Sequence, residues 1–202
     1  MNRTSVGALT LAALLATGPA LAATTTMSTG FLGTYMGPKN GDLEIASASA
    51  NVEGGNLVLS ATAMAPIGTT KGTDYVWGID TDPAKATAAF ASEGFSGVVF
   101  NNVAVATPGG MGVTVSGDTI TDTIAISSLK NVVLNPNQFL ISLWPVATPP
   151  GGFAGFSEFV PGNGTFAVGV PEPATWAMML IGLAGIGAFV RGGRSRRAAI
   201  VA

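Results

Sequence analysis

From about residue 42 to the middle 140s the chain repeats one pattern. Short runs alternate apolar and polar side chains, and glycine or proline turns separate them. A period of two places successive side chains on opposite faces of an extended strand, so each run offers one face to a core and one to water. Asp42 to Ala50 and Asn56 to Met64 are two such runs, with Leu43/Ile45 and Leu57/Leu59 in step. Glu53-Gly54-Gly55 joins them, which predicts a hairpin. Tyr75, Trp77 and Ile79 share one face of the next run. Val98-Val99-Phe100 and Val103-Ala104-Val105 form another, interrupted by Asn101-Asn102. Met111 to Val115 and Thr119 to Ile126 flank Ser116-Gly117-Asp118 as a second hairpin, and Gln138 to Trp144 and Gly164 to Val170 complete the set. The segment Asp82 to Phe90 is the one helical candidate, with Asp82 as N-cap and Pro83 at the first position. Many short strands with regular turns predict an all-β fold, an antiparallel β-sandwich; jelly-roll and immunoglobulin-like connections both fit.

The two ends of the chain are of a different kind. Arg3, the apolar stretch from Val6 to Ala16 and the small residues Ala20 and Ala22 form a secretory signal peptide over residues 1–22. Signal peptidase cleavage after Ala22 is expected, and the intact mass of the exported protein should place its N-terminus at Ala23. At the other end stand Pro171-Glu172-Pro173-Ala174-Thr175-Trp176, an uncharged run to Val190, and arginines at 191, 194, 196 and 197. The prolines hold the entry extended and accessible to another protein. A helix over residues 176–190 rises only ~22 Å, against a hydrocarbon core of ~30 Å, so its flanks must help it span. The arginines favour the cytoplasmic side, and Trp176 is placed as an interfacial anchor at the other.

Pro171-Glu172-Pro173 with Trp176-Ala177-Met178-Met179, a glycine-dotted short helix and the basic end closely resembles the PEP-CTERM sorting signal. The resemblance covers residues 171–197. It implies recognition of Pro171, Glu172 and Pro173 by an exosortase, a membrane-embedded transpeptidase-like enzyme of bacteria that make exopolysaccharide. It further implies transient anchoring in the inner membrane, then removal or exchange of the tail and release to the cell surface or extracellular matrix. A plain single-span anchor with a proline-rich neck is the other reading of these residues.

Between the processed ends lies one domain, residues 23–170, long enough for a real core. It carries four lysines against ten acidic residues, a net charge of −6 that the tail arginines mask in the whole-chain value of −2. A body this acidic and without arginine has no electrostatic footprint for nucleic acid. The chain has no cysteine and no histidine. Disulfides, thiolate chemistry and the commonest general base and zinc ligand are therefore absent, and no enzymatic activity is expected.

Two constellations remain. Asp80-Thr81-Asp82, with Asp74 six residues earlier, supplies carboxylate oxygens of the kind calcium takes, as a structural ion. Equally, Asp80 ends a strand and Asp82 caps the following turn. Phe153 and Phe156, in a glycine-rich loop after Pro149-Pro150, present flat rings suited to stacking on sugars, and Tyr75, Trp77 and Trp144 serve either that purpose or the core. Asp42-Leu43-Glu44-Ile45, the Gly-Gly hairpin and Val76-Trp77-Gly78-Ile79-Asp80 resemble β-sandwich carbohydrate-binding modules. The expected function is that of a structural or adhesive protein of an exopolysaccharide matrix or biofilm, with a carbohydrate-binding module as the alternative.

Overall fold

The computed structural model describes residues 23–26 and 30–169. The expected signal peptide over 1–22, the expected span over 176–190 and Pro171, Glu172 and Pro173 lie outside the described residues. Nine strands form two antiparallel sheets facing one another. The first sheet runs β1 (Ala23–Thr26), β2 (Ile45–Glu53), β3 (Asn56–Ala63), β7 (Thr119–Ala125) and β6 (Val113–Ser116). The second runs β5 (Asn102–Ala106), β4 (Thr73–Asp80), β8 (Leu140–Ala147) and β9 (Phe166–Ala167). Among the described residues the helical content is four short 3-10 turns. The described chain is all-β, and the sandwich is its architecture.

Both expected hairpins form. Gly54 and Gly55 have φ of 54° and 83°, the left-handed region that a two-residue strand connection needs at both positions. That turn fixes Glu53 opposite Asn56, and the register carries Leu57 and Leu59 to the same side as Ala48 and Ala50. From the facing sheet come Tyr75, Trp77, Ile79, Ile141 and Leu143, all fully buried together with Leu43, Ile45, Ile120 and Phe139. Each of the large aliphatic side chains stabilises the fold by roughly 1.5–3 kcal/mol through leaving water, so the alternation itself is the main source of stability.

Three elements differ from their sequence patterns. In the first, Val98 and Val99 form no strand and Phe100 makes only an isolated bridge to Thr87. The Asp82 to Phe90 segment forms no helix. Lys85 and Ala86 donate backbone bonds to the Asp82 carbonyl, but Thr87 then exchanges bonds with Phe100 at 3.0 and 3.2 Å. A nine-residue helix is marginal by itself, and burial of Phe90 among other rings favours the extended path. Conversely, β8 continues past Trp144 through Pro145 to Ala147. The Pro145 carbonyl accepts from Ser157 on the side away from β4, so its missing N–H falls where the two-residue β9 does not reach.

The inner face also holds a carboxylate. Asp122 lies between Ile120 and Ile124 on β7 and is 6% exposed. Burial pushes its pKa above the usual carboxylate range, partly offset by the Thr123 backbone N–H. A folded-state pKa raised above the unfolded value means that the fold loses stability as pH rises through that pKa. Asp122→Asn is therefore expected to be more stable than wild type near neutral pH. Thermal melts at successively lower pH should show that advantage shrinking once the wild-type carboxyl takes its proton.

Candidate functional site

Asp80 and Asp82 sit where β4 leaves its sheet, and the structure engages both carboxylates locally. Asp80 Oδ1 accepts from the Asp82 N–H at 3.0 Å, and Asp82 Oδ1 accepts from the Ala84 N–H at 3.0 Å. Burial raises the Asp80 pKa, against the lowering effect of that backbone bond. Thr81 between them is fully buried. Its N–H donates to Asn101 Oδ1 at 2.9 Å, while Asn102 exchanges bonds with the Lys130 backbone at 2.7 and 3.0 Å. The Asn101-Asn102 interruption is thus a polar brace tying β4, β5 and the 128–134 segment together.

Asp74 is at the opposite end of β4. The register places it beside Val146, whereas Asp80 is beside Leu140. At ~3.3 Å per residue the two carboxylates are about 20 Å apart. The structure does not bring Asp74, Asp80 and Asp82 together, and no group of three metal-ligating acids, cysteines or histidines occurs among the described residues. Adding millimolar calcium, or a chelator, is expected to leave the melting temperature unchanged; an upward shift with calcium would show a site built from other oxygens.

Asp74 instead enters an open groove of about 550 Å³ with Thr70, Lys71, Thr73, Thr107 and Thr148. Thr107 Oγ1 donates to the Asp74 carboxylate. Gly72, on the groove floor, has φ +69° and no room for a side chain, since a Cβ there would meet the Thr148 carbonyl oxygen at 2.3 Å. The groove's volume falls within the roughly 300–1,000 Å³ of small-ligand clefts. Thr70 and Thr73 are buried and their hydroxyls bond to Asp42 and to the Thr70 carbonyl, so the polar groups left for a ligand are the Lys71 ammonium, the Asp74 carboxylate with Thr107, and the exposed Thr148. Beneath it, the buried Asp42 accepts from the Thr70 N–H and Oγ1 at 2.7 Å each, and Tyr75 donates to the Asp42 carbonyl at 2.6 Å. Burial, with the Asp42 charge, pushes the Tyr75 phenol well above its ordinary pKa. These contacts tie the groove wall to the core. The threonines carried no sequence signal beyond the turn glycines Gly68 and Gly72.

Phe153 and Phe156 do converge with other aromatics, though not as a flat platform. They are half-buried in a second cluster on the outer face of the β5-β4-β8-β9 sheet, with Phe90, Phe95, Phe100, Trp144 and Phe159. Phe153 and Phe156 are 5.4 Å apart at 55°, and Phe156 meets Phe90 edge-on at 5.5 Å and 89°. Such mutually tilted rings satisfy one another rather than offering coplanar faces. Trp77 and Tyr75 are core, at 0% exposure. Gly78 makes the cluster possible: a Cβ at that position would meet Phe100 and Trp144 carbons at 2.9 Å.

The described chain ends at Gly169, whose N–H donates to the Ala50 carbonyl at 2.9 Å. From this residue onward, residues 169–197 match the PEP-CTERM protein-sorting motif family. No curated protein and no solved structure shows significant similarity to the chain. The chain therefore carries a PEP-CTERM sorting signal at its C-terminal end. That signal supports an exported, surface-directed protein with an exosortase as its processing partner.

Proposed function

We propose that the sorted body is a non-catalytic structural or adhesive domain of an exopolysaccharide matrix, delivered by signal peptidase and exosortase and anchored in the inner membrane only in transit. The observation that carries this reading is the joining of the sorting signal to a small sandwich with neither histidine nor cysteine. In a strain with an active exosortase, fractionation is expected to place the processed protein in the cell-surface and polysaccharide fractions, and its deletion to weaken biofilm cohesion. Recovery of the processed protein in the periplasm alone would overturn the reading.

The Asp74 groove favours a second reading, a carbohydrate-binding module for the exopolysaccharide. Its open shape with Lys71, Asp74 and Thr148 at the rim supports a saccharide ligand better than the tilted rings of Phe153 and Phe156 do. A glycan screen with the processed protein tests it: binding lost in Asp74→Asn and retained in Phe153→Ala supports the groove. No binding to any glycan would sink this second reading and leave the first standing.

A further inference from the structure

We propose that β5 is a self-pairing edge, joining two copies of the domain into a continuous sheet across a two-fold axis at Ala104. β5 pairs with β4 in an unbroken register from Asn102 to Ala106, and among the described residues no backbone group bonds to its other side. Alternate N–H and C=O groups along that side therefore point outward unpaired. Natural sandwiches blunt such edges with lysine, proline, a bulge, a very short strand or an inward-pointing charge. Of the other edges, β9 has two residues and β1 and β6 have four each, against five in β5. β5 is the longest of these edges: Asn102 to Ala106 contains no charge and no proline in an unbroken register. Ser128 to Lys130, which face its first half across a cavity of about 260 Å³, bond no part of it but the Asn102 side chain among the described residues.

Its side chains suit a second copy of the same strand. Val103 and Val105 point to the outer face and are 52% and 53% exposed, whereas Gly78 opposite Val103 is buried and Val76 opposite Val105 is half-buried. Antiparallel pairing about Ala104 sets Val103 against Val105 of the other copy and Asn102 against its Ala106. Four valines then meet on the outer face, next to Val76, which is opposite Val105 on β4. Cross-strand β-branched pairs of this kind stabilise sheets. Two four-stranded sheets become one, and the contact is isologous, as a closed dimer requires. Charge points the same way: in a body of net charge −6, this is a strand on which two copies meet without opposing carboxylates.

The absence of native cysteine gives a direct test on the exported, processed protein. Val103→Cys and Val105→Cys proteins are mixed under reducing conditions and then gently oxidised. The mixture is expected to give a covalent dimer several-fold more abundantly than either variant alone, because only the mixed pair sets two sulfurs directly opposite. Light scattering should also show a wild-type dimer that becomes a monomer in Val103→Lys/Val105→Lys, with an unchanged far-ultraviolet spectrum. A wild-type monomer at micromolar concentrations would overturn the proposal. So would a dimer that survives both lysines, or cross-linking no better in the mixture than in the single variants. Dissociation by Met111→Lys with the lysine pair silent would reassign the contact to the β5–β6 loop and equally refute strand pairing. Should the lysine variant fail to fold, the cysteine mixture still decides.

Discussion

Replacing Pro171, Glu172 and Pro173 together with alanine is expected to stop processing while leaving membrane insertion intact. The apolar run from 176 to 190 and the four arginines after it are untouched by the change, so the hydrophobic and electrostatic terms by which the tail is expected to insert persist. What changes is the entry segment. The two prolines and the one carboxylate of the sorting motif are lost, and alanine neither restricts φ nor lacks an N–H as proline does. In cells with an active exosortase the triple variant should accumulate in the inner membrane at full C-terminal length, read by intact mass, while wild type loses its tail. Equal C-terminal lengths and equal membrane fractions for the two proteins would mean a plain anchor and no sorting step.

Trp77→Ala should have the largest effect on the body itself. Trp77 is fully buried at the middle of β4, paired to Ala104 on one side and Leu143 on the other. Truncating a buried tryptophan costs about 3–5 kcal/mol, a large part of the 5–15 kcal/mol typical of a whole domain. For a body of this size that corresponds to a fall in melting temperature on the order of 10 °C or more. Trp77→Phe should cost much less, because the indole Nε1 has no hydrogen-bond partner and its loss strands nothing. If the alanine variant melted within a few degrees of wild type, the core would not be organised around this strand.

The residues that announced themselves in sequence were those whose signal is local. Leu57 and Leu59, or Tyr75, Trp77 and Ile79, show their shared face through spacing alone, and Gly54-Gly55 shows the turn that sets their register. The sheet order is a matter of long-range pairing and left no local trace: nothing near β7 says that it lies between β3 and β6. The Asp74, Asp80 and Asp82 grouping failed for a reason that was legible. Once Tyr75 to Ile79 is taken as one continuous strand, six residues of extended chain must separate the first carboxylate from the second. Phe90, Phe95 and Phe100 could not be assigned to a cluster with Phe153 and Phe156 from spacing, because separate loops fold over one sheet face to build it. The Asp82 to Phe90 pattern misled because its capping residues are real, and Asp82 caps a turn rather than a helix.

The hydrogen bond from Gly169 to Ala50 has a consequence for how the domain is held. Ala50 is also the register partner of Ala23, so the expected mature N-terminus and the first residue of the sorting signal leave the body from one pole. Asp80 and Leu140 belong to that pole, while Thr73, Asp74, Thr107 and Thr148 belong to the other, the length of an eight-residue strand away or about 25 Å. Whatever grips the tail therefore grips the end remote from the groove. Held by that end, the domain would present Thr107 and Thr148 outward, with the carboxylate of Asp74 and the ammonium of Lys71 at its tip.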